Sequence, residues 1–234
     1  MDQLNLIWQG LPSLLSGTAT TVLLTVYFLG LGFVLGIILA LVRVYGSRMA
    51  NIFIIQPFER FFRAVPALVL LFLFYFGSSF FNINFSPFMA AILAMGLRSA
   101  AYQSQIFRGA IQSIGEGQMK AARSIGMNTL QSIRYIILPQ ALRLSIPSWA
   151  NEYAVVLKDS SLAYAVGVTE LLRQGRYIVA RTFGNALLIY TFCALIYFVL
   201  VFLGNQFLKI FEEKYRIPGY EIKKTKHQSV LERI

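Results

Sequence analysis

Cysteine occurs once, at Cys193, and histidine once, at His227. One thiol in an apolar run supplies neither a disulfide framework nor a cysteine-based metal site. His227 falls in a polar C-terminal stretch and reads as solvated. No catalytic residue set and no metal site is therefore expected. Charge is scarce: 13% of the residues carry it, against roughly 25% in a soluble domain. Acidic residues are the scarcer sign, 10 against 21 Lys and Arg. The chain also has no G-x-x-x-x-G-K-[ST] phosphate loop, so it is not expected to be an ATPase itself. A secretory signal is not expected either. The first basic residue is Arg43, and the apolar stretch ahead of it is too long for a signal core.

What is present is apolar length. Hydrophobic residues make up 57% of the 234 positions, and several uncharged runs exceed the ~20 residues that cross a bilayer as a helix. The chain reads as an all-α integral membrane protein with five transmembrane helices, at about 14–42, 58–80, 86–107, 144–162 and 184–208. The 34 positions from Ala64 to Leu97 hold no charge. Gly77, Asn82, Asn84 and Pro87 divide that stretch into two spans joined by a hairpin, and Pro66 is expected to kink the first of them. Gly32 and Gly36 form a G-x-x-x-G pair, which either lets another helix approach closely or packs without a specific partner. Residues 1–212 form the membrane domain, and 213–234 a basic tail.

The net charge of +11 is explained by topology rather than by nucleic acid. Sixteen of the 21 basic residues fall in Arg43–Arg63, Arg108–Arg143 and the tail from Lys209. In a five-span chain these segments share one side. The positive-inside rule then puts the N-terminus outside and the C-terminus in the cytoplasm of a multi-pass inner-membrane protein. Arg173, Arg176 and Arg181 dissent, on the outer side, where an external partner or a vestibule would face them.

The cytoplasmic segment from Ser113 to Pro139 spans nothing and carries charge. Ser113 and Glu116 have capping-box spacing. A short helix over 118–125 would follow, stopped by a left-handed Gly126. Asn128 with Gln131 is a second, weaker cap, and the next helix is expected to end near Pro139. A capped helix pair around one glycine is built to be gripped by another protein.

This segment resembles the cytoplasmic loop of importer permeases in ATP-binding-cassette (ABC) transporters. The family pattern is E-A-A, three residues, G, nine residues, I-x-L-P. Ala121, Ala122, Gly126, Ile136, Leu138 and Pro139 fall in register, and Lys120 departs where the family usually has Glu. The stretches Glu59–Gly77, Ala100–Gln118 and Leu157–Leu162 are similar to the polar amino acid uptake branch, which includes histidine, glutamine and arginine permeases. The resemblance implies a type I importer permease fold and a coupling loop over 113–139. Gly117, Lys120, Ala121, Ala122, Gly126 and Met127 would face a dimer of ABC ATPase subunits. It also implies an extracytoplasmic solute-binding protein, a second permease copy or paralogue, and an amino acid substrate. ATP and Mg would sit on the ATPase, with no cofactor on this chain.

Charges inside the spans carry the remaining chemistry. One at the bilayer centre costs about 2.5–3.5 kcal/mol on insertion scales. Arg98, Glu152, Lys158 and Asp159 must therefore pair, reach the interface or line a wet cavity. Helical spacing puts Glu152 and Asp159 on one face, and Arg98, Tyr102 and Gln105 on another. Lys158 points elsewhere unless the helix unwinds at Asp159, Ser160 and Ser161. An amino acid needs a cation for its carboxylate and an acceptor for its ammonium. Arg98 or Lys158 suits the first role, and Glu152 or Asp159 the second, with Tyr102 and Ser160 beside them. The competing reading pairs these groups with one another, as Lys158 with Asp159 or Arg98 with Glu152. Glu59 and Arg63, at i and i+4, read as an interfacial ion pair. An ion-coupled or passive carrier is the alternative function, but it leaves the docking loop without a purpose.

Overall fold

The computed structural model describes residues 3–182 and 186–215. Among the described residues the chain is helical and contains no strand. The helices are α1 (Gln3–Tyr45), α2 (Arg48–Ala50), α3 (Gln56–Ala64), α4 (Ala67–Phe80) and α5 (Pro87–Ser113). They continue with α6 (Gly115–Ser124), α7 (Thr129–Ser132), α8 (Leu138–Asp159), α9 (Leu171–Thr182) and α10 (Ala186–Lys214). Most of the tail expected over 213–234, with His227, lies outside the described residues.

By length and composition, α1 and α10 are each able to cross a membrane, and the bent pair Arg48–Ala64 with Ala67–Phe80 qualifies as one more. Helices α5 and α8, at the two remaining expected spans, are long enough but do not qualify by composition. They fall short on apolarity because their polar residues face each other inside the bundle. In α1 the threonines are satisfied within the helix: Thr18 Oγ1 donates to Leu14 O and Thr25 Oγ1 to Thr21 O, both at 2.8 Å. Such back-bonding makes a hydroxyl tolerable in lipid.

Helix α5 is the axis of the fold. Ala90, Ala91, Ala94, Gly96, Ser99, Ala100 and Ala101 are all buried, and these small side chains let α1 lie against it. A Cβ added at Gly36 would stand 2.9 Å from Gln103 Cβ, and one at Gly32 would stand 2.9 Å from Ser99 Oγ. The G-x-x-x-G pair is thus a close-approach site for α5. Three apolar clusters fill the bundle. Phe28, Leu70, Leu71, Met95 and Val156 belong to the middle one. Ala40, Phe107, Ile111, Ile137 and Ala141 form another at the loop end. Leu14, Leu171, Ile178, Ile189 and Cys193 form the third, at the far end. Phe198, Phe202, Leu203 and Phe207 of α10 are exposed, as expected of a lipid-facing surface.

The second span is broken rather than kinked. Val65 and Pro66 leave the helix, and the pieces on either side meet at 107°. Pro66 disfavours helical geometry at Val65, which has ψ 133°. The hairpin after α4 forms as expected, with Ser86 capping α5 through a 3.2 Å bond from Met89 N–H.

The helix expected to stop near Pro139 does not stop. A π-helical turn at Ile133–Ile137 joins α7 to α8, and Leu138 N–H reaches back to Ile133 O. A proline in a regular helix clashes with the carbonyl four residues earlier, and the wider π turn relieves that conflict. Pro57 is handled in the same way. A π turn at Asn51–Ile55 precedes it, and Gln56 N–H donates to Asn51 O. At its other end α8 tightens into a 3-10 turn, Ser160–Val166, rather than unwinding. Gly167, at φ 112°, closes that turn.

Helix α9 is pinned by a buried carboxylate. Glu170 accepts from Leu172 N–H and Arg173 N–H at 2.8 Å each, and from the Tyr197 hydroxyl at 2.9 Å. Burial pushes the Glu170 carboxyl up from its ordinary range, while the backbone donors and the tyrosine pull it back.

Candidate functional site

Helices α5 and α8 meet along a polar seam in the middle of the bundle. Arg98 Nη1 donates to Asp159 Oδ2 at 2.8 Å, and the two side chains keep 18% and 29% exposure. Ser99 Oγ donates to Glu152 Oε1 at 2.8 Å. Gln103 Nε2 donates to Ser99 Oγ at 3.0 Å and to Leu29 O at 3.2 Å. Trp149 Nε1 donates to Gln103 Oε1 at 2.8 Å. Two guanidinium groups meet one ring: Arg98 lies 4.9 Å and Arg63 5.4 Å from the Tyr102 centroid. This geometry suits cation–π attraction.

The structure brings Arg98, Tyr102, Glu152 and Asp159 together. Glu152 and Asp159 do share the α5-facing side of α8. The internal pairing differs from both pairs anticipated, because Arg98 takes Asp159 and leaves Glu152 to a hydroxyl. Lys158 is exposed and turned toward α10, where it lines a cavity of about 420 Å³ with Ser161, Tyr197 and Phe198. Ser160 is buried, and its hydroxyl is bonded to Leu157 O at 2.7 Å. Gln105 turns to Arg108 at 2.6 Å instead of joining Arg98.

The Glu59–Arg63 ion pair does not form. Glu59 is buried and accepts from Ser104 Oγ at 2.6 Å, while Arg63 stacks on Tyr102. Glu59 faces α5 inside the bundle and Arg63 faces the Tyr102 ring, so the i, i+4 partners are directed apart. Ser99, Gln103, Ser104 and Trp149 were not singled out from sequence. The available signal was the i, i+4 spacing of Ser99 and Gln103 beneath the two glycines of α1. Polar residues so placed in a span face the bundle interior.

The loop between α5 and α8 is the second candidate surface. Gly126 has φ 88°. Met127 N–H bonds to Ala122 O at 3.2 Å and Gly126 N–H to Arg123 O at 3.1 Å, the pattern of a glycine-terminated helix. Asn128 and Gln131 form a full capping box, with both bonds at 2.9 Å. The box expected at Ser113 and Glu116 is not made. Gly115 turns left-handed at φ 64°, so Ser113 does not sit at the start of α6 and its hydroxyl back-bonds to Ala110 O. Glu116 instead pairs with Lys120 at 3.1 Å across one exposed turn. Gly117, Lys120, Ala121 and Gly126 are exposed, Met127 is half-buried, and Ala122 is buried. Ile125 and Leu130, at 75% and 74% exposure, leave an apolar tip.

At the opposite end, Tyr164, Gly167, Arg173, Arg176 and Tyr177 line a cavity of about 600 Å³. Arg173 is used locally, donating to Tyr164 O at 3.0 Å and to the Tyr177 hydroxyl at 2.7 Å. Arg176 and Arg181 are exposed.

Comparison with known proteins matches this architecture. The chain is 36% identical over 208 residues to the "Probable amino-acid ABC transporter permease protein YckA" of Bacillus subtilis, covering 88% of this chain and 91% of that protein. It is 33% identical over 213 residues to the glutamine transport system permease protein GlnP of Escherichia coli K12, covering 90% and 96%. A crystal structure of an amino acid ABC transporter with histidines superposes with a TM-score of 0.81 at 32% identity, over 92% of this chain and 99% of that one. The inward-facing MetNI methionine ABC transporter shares the fold at a TM-score of 0.70 and 21% identity. Residues 32–217 match the model of the binding-protein-dependent transport system inner membrane component, and the chain belongs to that family.

Proposed function

We propose that this chain is the permease subunit of an ATP-driven importer that moves amino acids inward across the cytoplasmic membrane. The carrying observation is the seam at Arg98, Tyr102, Glu152 and Asp159. It offers a guanidinium to a carboxylate and two carboxylates to an ammonium within one partly open site. The relatives named for glutamine and cystine and the structure with histidines support the same class. Substrate would displace Arg98 from Asp159, exchanging an internal ion pair for two contacts to a zwitterion.

The energy enters through the α6 loop. Its exposed small residues and apolar tip suit a groove on a separate ATPase subunit, and ATP and Mg belong to that partner. Closure of two such partners would draw two α6 loops together and tilt the bundles outward. Such a shift requires that the nucleotide bind one state better than the other. The second bundle is another copy or a paralogue. The three-arginine end faces outside under the positive-inside rule, where a solute-binding protein delivers the substrate.

The test is uptake by the assembled complex in proteoliposomes supplied with binding protein. ATP-dependent amino acid accumulation that falls in Glu152→Gln, without loss of assembly, is the expected result. Accumulation driven by an ion gradient without ATP would favour a carrier instead.

A further inference from the structure

Where α1 turns into α2, an open cavity of about 490 Å³ is lined by Arg43, Gly46, Arg48, Asn51, Ile52 and Gln56. It sits at the α6-loop end of the bundle, since Ile37, Leu41 and Val44 pack with Phe107 and Ile111. Two features mark it as a site rather than a crevice. Among the described residues neither Arg43 nor Arg48 makes an ion pair. Arg43 Nη1 and Asn51 Oδ1 are also buried with no hydrogen-bond partner, although Asn51 Nδ2 is fixed on Arg43 O at 3.2 Å. Buried polar atoms are normally paired. A partner reached by a side-chain shift would accept from the guanidinium at the first and donate to the amide oxygen at the second.

A phosphate ester carrying a hydroxyl does both. The surroundings point to its source. Met49, Ile52, Phe53 and Ile54, on the same short stretch, are 64%, 43%, 65% and 64% exposed. A cationic pocket bordered by exposed apolar side chains matches a phosphate headgroup with acyl chains attached. Basic pockets at the ends of spans bind anionic lipid in this way. We infer that the Arg43–Arg48–Asn51 cavity is a headgroup site for an anionic, hydroxyl-bearing phospholipid in the leaflet next to the α6 loop. The inference rests on the chain spanning a bilayer and not on the substrate it carries.

The assembled complex is reconstituted into nanodiscs of phosphatidylcholine with a minor share of phosphatidylglycerol. It is then extracted gently, and its retained lipid is measured by mass spectrometry. Phosphatidylglycerol should be enriched on the wild-type complex. Each arginine contributes about fivefold, so Arg43→Gln with Arg48→Gln should lose about twenty-five-fold of the preference. Exposed Lys209→Gln at the α10 end should retain it, which separates a pocket from general surface charge. Arg48→Glu alone should lower retention if the double variant assembles poorly. Equal retention in wild type and Arg48→Glu, or no enrichment at all, overturns the site. Full displacement of phosphatidylglycerol by soluble glycerol 3-phosphate would support the phosphate-ester chemistry and overturn its lipid source.

Discussion

Arg98 decides how the seam is held at rest. Its ion pair with Asp159 keeps 18% and 29% exposure, so solvent screens part of the attraction. Replacing either partner alone leaves a charge facing a half-dry seam, whereas replacing both removes the conflict. A cycle of Arg98→Gln, Asp159→Asn and the double variant should give a coupling of about 1–2 kcal/mol, below the range for fully buried pairs. Thermal unfolding in detergent reads that coupling. Uptake should fall in all three variants, because stability is restored in the double variant and substrate recognition is not. A double variant that transports normally would make the pair purely structural. The Arg98 and Asp159 positions were legible in the sequence because charges in a span are conspicuous. Their pairing was not. Helical spacing sorts residues by face, but it does not say which residue of a facing helix lies at the same height.

Among the elements, the α6 loop was read best where a single residue sets the conformation. Gly126 at φ 88° needs no tertiary knowledge, and no neighbour lies within 4 Å of an added Cβ. Substitution there acts through backbone strain alone. Gly126→Val should therefore cost about 1–2 kcal/mol locally, misplace α6, and reduce ATP-driven uptake without loss of insertion. Gly126→Asn, tolerated in the left-handed region, should transport nearly as well. If valine and asparagine behave alike, the turn is not what positions the loop. The two caps show the limit of such reading. Ser113 with Glu116 and Asn128 with Gln131 offer equivalent spacing, yet only the second forms. The decision lies in Gly115, whose left-handed turn moves the start of α6 past Ser113. Pro139 misled for a related reason: a proline ends a regular helix, but a π turn lets the chain continue.

Across the whole molecule, α1, α10 and the bent second span were legible from apolar runs, whereas α5 and α8 are less apolar. Their polar residues read as weak spans because the bundle, not lipid, is their solvent. The end of the bundle opposite the α6 loop depends on contacts that no local pattern announces. Glu170 of the chain entering α9 meets Tyr197 of α10, and Leu171 N–H meets Thr21 of α1 at 3.2 Å. These bonds tie together helices far apart in sequence. Glu170→Ala would strip the cap from α9 and leave a half-buried phenol without its acceptor, at a cost of about 2–4 kcal/mol. A lower unfolding temperature with early proteolysis near α9 is expected. Unchanged protease resistance would mean that Glu170 does not hold that end.

The π turns before Pro57 and Pro139 bear on how the chain tolerates changes in length. Each holds one residue more than a regular turn would need. Dropping a residue from an ordinary helix swings everything beyond it by about 100°, enough to carry Glu152 away from Ser99. Dropping one from 133–137 would consume the surplus but return Pro139 to a regular turn, so that face keeps its place only if Pro139 is replaced as well. Relatives that differ by a single insertion or deletion should therefore place it at these turns. The chain thus has two places, ahead of Pro57 and Pro139, where a change of length and a change at the proline have to occur together.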